Sequence, residues 1–367
     1  MQKGIKFRIY PNKGQKAFIH QTLGCCRLIY NRGLAMRKEG YEKGEKIGYG
    51  QTSAMLTELK KQEEFAFLKE VDSIALQQSL RDLDRGFVNF FQKRASYPTF
   101  KSKHNRFQSY RTVNQKDNIR IVGRYIKLPK LGYVKVRQSM EVGNIHHVTI
   151  EHTPSGKYFA SLLFCCENQT AEKRRAERFL GIDFAMQGMC VFSTGERAGY
   201  PMFYRKAEKK LAREQRKLSH CEKGSRNYQK QKKKVALCHE KIKNQRKDFQ
   251  HKLSHSLAED YDAVCVEDLN LKGIAGGLHF GKGIQDNGYG QFLSMLGYKL
   301  EERGKYLIKV DRYFASSKIC SVCGHKKKEL ALSERIYLCE CGNRMDRDVN
   351  AAVNILEEGK RIYKKCA

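Results

Sequence analysis

The chain has 367 residues, with 71 Lys and Arg against 39 Asp and Glu, for a formal net charge of +32. This length suffices for two or three domains, and so large a positive charge points to a polyanionic partner, nucleic acid above all. No run of about 18 apolar residues occurs, which excludes an apolar membrane-spanning helix, and the opening MQKGIKFRIYPNKGQ lacks the apolar core of a secretory signal.

GIKFRIYP alternates Ile5, Phe7 and Ile9 with Lys6 and Arg8, which predicts a half-buried strand ended by Pro11. Helical patterning follows from about Lys13 to Tyr41 and again around Thr52–Gln62. A third helix is predicted to start at an N-cap Ser73 and to carry Leu76, Leu80, Leu83 and Phe87 on one face, with Phe90 and Phe91 extending the stripe. In SYPTFKSKHNRFQSYRT, aromatics alternate with cations. Rings for bases and cations for phosphates suit single-stranded nucleic acid, so Tyr97, Phe100, Lys101, Lys103, Arg106, Tyr110 and Arg111 are candidate contacts.

From Asn118 to Glu167 short strands are separated by turns at Pro129, Pro154 and Gly156. The candidates are Ile119–Val122, Tyr125–Leu128, Tyr133–Arg137, His147–Glu151 and Tyr158–Cys165. With the first strand they suggest a small barrel of oligonucleotide-binding type into which the helices are inserted. Asn168–Arg178, polar and charged, reads as the linker.

A second composition begins at Phe179. FLGID and GMCVFST read as strands, and a basic helical hairpin spans about Lys206 to Glu259, broken at Gly224-Ser225. Tyr228, Val235, Ile242 and Phe249 recur every seven residues along it. DAVCVE and KYLIKVD follow as strands, and DRDVNAAVNILEEG closes as a helix with Gly359 as its expected stop.

Three acids stand out. Asp183 closes one apolar strand, Glu267 closes another, and Asp348 lies in the first turn of the last helix. Strand ends and a helix start can converge at one sheet edge. Carboxylates gathered there suit Mg²⁺ or Mn²⁺ and the hydrolysis of phosphodiesters. Asp346 and Asp348 are about 200° apart around a helix, so both cannot face one metal pair; Asp346 is read as the cap and Asp348 as the ligand. Asp268 is predicted to point to the opposite side of its strand. Of the 13 cysteines, Cys320, Cys323, Cys339 and Cys341 form C-x2-C-x15-C-x-C with Gly after the second and fourth, as expected of a closed structural Zn²⁺ site. The others, including Cys25-Cys26 and Cys165-Cys166, read as reduced core residues.

The stretches FRIYPNKGQ, LGCCRLIYN, YPTFKSK, GIDFAMQG, VCVEDLNLKGI, VDRYFASSKICSVCG and CGNRMDRDVNAAVNI together resemble the TnpB (OrfB-type) proteins of bacterial insertion sequences, over nearly the whole chain. The resemblance implies an α/β and β-barrel multidomain fold. Residues 1–12 plus 96–168 would be a wedge barrel and 13–95 a helical recognition bundle. Residues 178–315 and 343–367 would form an RNase H-like (RuvC) nuclease domain with the hairpin at 205–259, and 316–342 a zinc-ribbon insertion. It implies Asp183, Glu267 and Asp348 as the acid triad, a noncoding guide RNA from the transposon end, and cleavage of double-stranded DNA beside a short adjacent motif. A monomer in the complex and a bacterial, cytoplasmic, nucleoid-associated location are expected. The alternatives are an RNA-guided DNA-binding repressor, or an accessory regulator of transposition, without useful cleavage. Two departures stand out: Asp183-Phe184-Ala185 where the family usually has Asp-Leu-Gly, and Gln285-Asp286 with Tyr289 where it usually has Ser-Asp and a Trp.

Overall fold

The computed structural model describes residues 2–105, 107–137, 142–166, 171–185, 188–271, 273–274, 283, 286–331 and 333–366. The chain divides into two compact units, Met1–Gln169 and Thr170–Ala367, with the break inside the predicted linker.

In the first unit β1 (Gln2–Tyr10) buries Phe7 and Ile9, as its alternation dictates. The other strands are β2 (Gln108–Val113), β3 (Arg120–Val122), β4 (Tyr125–Leu128), β5 (Gly132–Val136), β6 (Ile145–His152) and β7 (Tyr158–Cys165). They form one antiparallel sheet in the order β2-β6-β7-β1-β5-β4-β3. Between β1 and β2 the chain makes α1 (Lys13–Glu42), α2 (Tyr49–Leu59), a 3₁₀ segment Glu63–Lys69 and α3 (Ser73–Phe91).

Helix α1 starts on a capping box: Asn12 Oδ1 accepts from the Gln15 amide at 2.8 Å, and Gln15 Oε1 accepts from the Asn12 amide at 3.0 Å. Helix α3 is capped by Asp72, not Ser73. The Asp72 carboxylate accepts from the Ile74 amide at 2.9 Å and also from the Thr112 hydroxyl. A carboxylate beside free amide hydrogens is the stronger acceptor. Leu76, Leu80, Leu83 and Phe87 are buried as predicted, but Phe91 ends the stripe 74 % exposed. Helices and sheet share a core in which Leu23, Ile29, Leu76 and Leu80 pack with Tyr110, Ile126 and Leu162, while Tyr30, Leu34, Leu83 and Phe87 form a separate small cluster between α1 and α3.

The second unit is built on a four-stranded sheet: β8 (Phe179–Ala185), β9 (Met189–Phe192), β10 (Ala263–Glu267) and β11 (Tyr306–Val310), in the order β11-β10-β8-β9. Strand β10 runs parallel to both β8 and β11, and β9 is antiparallel to β8. The crossover from β9 to β10 is the hairpin of α4 (Phe203–Ser219) and α5 (Arg226–Asp260), turned at Gly224 (φ +95°) and capped by Ser225. α6 (Tyr289–Glu302) links β10 to β11, and α7 (Arg347–Cys366) ends the described chain. The hairpin β12 (Ile336–Leu338) and β13 (Arg344–Asp346) precedes α7.

Successive residues of the buried parallel strands serve opposite layers. Leu180, Ile182, Val264 and Val266 pack with Leu257, Phe292 and Leu296 of α5 and α6. Ala263 and Cys265 pack with Ile355 of α7. Helix α7 sits very close to the sheet. A Cβ on Gly181 would lie 2.1 Å from the Ala352 carbonyl, and one on Gly359 would lie 2.2 Å from Cys265 Sγ. Gly359 therefore does not stop the helix, which runs on to Cys366; it is the contact that lets α7 lie on β10.

No disulfide links the described cysteines. Cys25 and Cys26 are buried, whereas Cys165, at the end of β7, is exposed and so is not a core residue. No described helix is long and apolar enough to cross a membrane.

Candidate active site

Register and alternation place two of the three acids, Asp183 and Glu267, on one side of the sheet. Ile182 of β8 pairs with Val266 of β10, so Asp183 and Glu267 follow the last paired residues of two neighbouring parallel strands; Glu267 ends β10, but Asp183 does not close β8, which runs on to Ala185 because β9 continues to pair with it. Gly181 and Cys265, two residues earlier on each strand, face α7, so both carboxylates emerge on the α7 side. Asp348 occupies the first turn of α7. Asp346 caps that helix: its Oδ1 accepts from the amides of Asp348 at 2.9 Å and Val349 at 3.2 Å.

Burial, then the charges of Glu267 and Asp348, push the Asp183 carboxyl well above its usual range, with Arg347 opposing them. Burial also raises Glu267, against a hydrogen bond from the Ser316 hydroxyl. Asp348 lies 3.6 Å from Arg347 Nη2 and 3.8 Å from Arg197 Nη1, while Arg197 Nη2 reaches Asp346 at 2.8 Å. Asp268 pairs instead with Lys309 and Arg312, both at 3.3 Å, which hold its carboxyl below the ordinary value. Carboxylate oxygens whose charges act on one another are the hard donor type that Mg²⁺ or Mn²⁺ takes.

The cysteines form a tighter group. Their sulfurs all lie within 4.8 Å of one another, a closeness that no other set of three or more potential ligands reaches among the described residues. Cys320 and Cys341 are 3.7 Å apart, and Cys323 and Cys339 3.6 Å. Four sulfurs about 2.3 Å from a central Zn²⁺ would be spaced about 3.8 Å apart in a tetrahedron, so the cluster fits zinc. Gly324 (φ +75°) and Gly342 (φ +89°) turn the two knuckles, and their amides donate to the Cys320 and Cys339 carbonyls at 2.9 and 3.0 Å. Burial pushes the Cys320 thiol up, but hydrogen bonds from the Cys323 amide, the Asn343 side chain and the Val322 amide outweigh it and bring the thiol down to about 6. With zinc held by all four thiolates, no position would remain open for substrate.

The candidate nucleic-acid contacts separate. Tyr97 and Phe100 are 39 % and 51 % exposed, with the Lys38 ammonium 5.8 and 4.9 Å from their ring centres. Lys103 is exposed. Lys101, though exposed as a residue, folds its ammonium over Tyr30 at 3.9 Å, where burial pushes its pKa down. Tyr110 and Arg111 are not surface groups of this kind. Both lie in β2, with Tyr110 buried in the core and Arg111 paired with Asp82 of α3. The aromatic and basic pattern concealed a strand whose alternate residues serve the interior. Arg106 lies outside the described residues.

The sequence reading missed Arg197, Arg347 and Ser316. Arg347 could have been noticed between Asp346 and Asp348; Arg197 and Ser316 reach the acids only through the fold.

Three family descriptions match this chain. OrfB_IS605, "Probable transposase", covers residues 163–276. "Cas12f1-like, TNB domain" covers 289–355, and the helix-turn-helix domain HTH_OrfB_IS605 covers 1–46. A Streptomyces pristinaespiralis protein, provisionally named RNA-guided DNA endonuclease, is 37 % identical over 363 residues, 98 % of this chain and 90 % of the relative. The chain belongs to the TnpB (OrfB_IS605) family. InsQ of Escherichia coli K12, with the same provisional name, is 34 % identical over 98 % of this chain and 93 % of its own. The protein in a structure titled "Cryo-EM structure of the Cas12f1-sgRNA-target DNA complex" shares the fold, with a TM-score of 0.61 at 14 % identity over 97 % of this chain and 98 % of that one.

This TnpB member builds the region matched as helix-turn-helix from a strand and one 30-residue helix, α1. Its two departures from the family pattern meet in space. Phe184, the residue after Asp183, packs against Tyr289 with ring centres 4.7 Å apart. Asp286 is buried and anchors the start of α4, accepting from the Tyr204 amide at 3.0 Å and the Tyr200 hydroxyl at 3.1 Å. Gln285 lies outside the described residues.

Proposed function

We propose that this TnpB-family protein is a transposon-encoded, RNA-guided DNA endonuclease of RuvC-like type, acting beside a short adjacent motif and supporting maintenance of its element. The observation that supports the reading is the placement of Asp183 and Glu267 on the α7 side of the sheet, with Asp348 in the first turn of α7 and its charge acting on Asp183. In this reading the first-unit sheet is the wedge, its inserted helices the recognition bundle, and the Cys320–Cys341 module a zinc ribbon. Guide RNA and target DNA would follow the basic surfaces, with base pairing reading the target and the protein reading backbone shape and the adjacent motif.

Asp183, Glu267 and Asp348 would hold Mg²⁺ or Mn²⁺. Bound there, the metal supplies an activated water and neutralises charge on the scissile phosphate. Asp183 and Glu267, on neighbouring strands, would set one side of the site, and Asp348 would close it from the helix. Arg197 and Arg347 offset part of the acids' charge. Ser316 donates a hydrogen bond to Glu267.

The test is the purified protein with the RNA encoded at its transposon end, matched plasmid and Mg²⁺. Cleavage that Asp183→Ala abolishes supports the proposal. Tight target binding without cleavage indicates the repressor, and protection of transposon ends without RNA indicates the accessory regulator.

A further inference from the structure

We propose that Ser316 is the positioning residue of Glu267, and that Asn354 ties it to the helix carrying Asp348, so that one buried hydrogen-bond chain sets the second acid relative to the third. The inference rests on the metal-site reading above.

Ser316 is 6 % exposed, and its hydroxyl donates to Glu267 Oε1. Its carbonyl accepts from Asn354 Nδ2 at 2.8 Å, and the same amide reaches the Ile319 carbonyl at 2.6 Å. One turn earlier on α7, Asn350 accepts from the Ser321 amide at 3.0 Å and donates to the Ile319 carbonyl at 2.7 Å. Asn350 and Asn354 are both buried. The segment leading into Cys320 is thus tied along the flank of α7, and the residue at its start holds Glu267.

The arrangement answers a physical need. A glutamate has three rotatable side-chain bonds and loses more freedom than an aspartate when it must present one oxygen to a cation. A donor on one carboxylate oxygen fixes the group and leaves the other oxygen for the metal, and partners of this kind commonly govern metal affinity. Glu267 also sits on a strand while Asp348 sits on a helix, so a tie between strand end and helix is what holds their separation. Ser316 and Asn354 supply it without placing a charge in the site.

The test uses the full chain with its guide RNA and Mn²⁺ alone as probe, titrated calorimetrically without DNA. Ser316→Ala is expected to weaken Mn²⁺ binding about 10-fold or more while zinc content is unchanged. Ser316→Thr, which keeps the hydroxyl, should restore affinity, and the Mg²⁺ concentration for half-maximal cleavage should rise more than the rate at saturating Mg²⁺ falls. In a Glu267→Gln background, Ser316→Ala should cost little further affinity, because the two residues act as one unit. Wild-type affinity in Ser316→Ala overturns the proposal, as does an undiminished loss in the Glu267→Gln background. If Ser316→Ala loses zinc or fails to fold, a folded Ser316→Thr variant decides: retained affinity supports the proposal and lost affinity overturns it. A wild-type protein that binds Mn²⁺ through Asp183 but cuts no matched DNA defeats the nuclease reading and leaves the Ser316 result standing; one that binds no Mn²⁺ defeats both.

Discussion

Asp183 resists ionisation because burial, Glu267 and Asp348 all oppose its charge. Its folded pKa is raised above its unfolded value, so over the interval between them the folded state binds more protons than the unfolded state. Stability is therefore highest at low pH and falls as pH rises through that interval. Without added divalent cation, thermal melts should show this loss on going from acid toward neutral pH, and Mg²⁺ should restore stability at neutral pH. Asp183→Asn should remove the pH-dependent component and raise stability at neutral pH by about 1–2 kcal/mol, while eliminating cleavage. An unchanged melting profile in the variant would mean that the acids do not strain one another. Cleavage by the variant would remove Asp183 from the site.

At the scale of elements, the approach of α7 to the sheet depends on Gly181 and Gly359. Alanine ordinarily stabilises a helix interior by about 1 kcal/mol relative to glycine. Gly359→Ala should do the reverse and cost about 1–3 kcal/mol in denaturant unfolding, because its Cβ would fall 2.2 Å from Cys265 Sγ. A stabilised variant would show that α7 can lift away without penalty. The cysteine module is coupled to the same helix through Asn350 and Asn354. Cys320→Ser should lower zinc stoichiometry and speed hydrogen exchange in both the 316–346 segment and the first turns of α7. Loss confined to the knuckles would show that the helix start is independent of them.

For the whole molecule, the decisive quantity is the net charge of +32. Each phosphate neutralised on duplex DNA contributes about −0.9 to the slope of log affinity against log salt, so 6–10 contacts reduce affinity by about 10³–10⁵ between 50 and 200 mM. A filter-binding series should show a slope of this order for the RNA-loaded protein on matched DNA. A flat response would mean that the Lys and Arg of α4 and α5 are merely solvated.

Much of this was legible in the chain itself. Alternation in β1, the apolar runs of β8, β10 and β11, the stripe of α3, the Gly-Ser break between α4 and α5, the cysteine spacing and the cap at Asp346 follow from local pattern, because dihedral preference, periodicity and capping act over a few residues. Tertiary structure decided what depends on surroundings. The pattern around Tyr110 and Arg111 matched a nucleic-acid surface, yet pairing with β6 turned it into a strand that buries the tyrosine. Gly359 had the form of a helix stop, but a sulfur on a strand more than 90 residues away made it a packing contact. Asp183, Glu267 and Asp348 could be named from sequence. The side of the sheet that Asp183 and Glu267 share, the arginines beside Asp348 and the serine that donates to Glu267 exist only once segments far apart in the chain are brought together, because position in space, unlike local conformation, is not written in neighbouring residues.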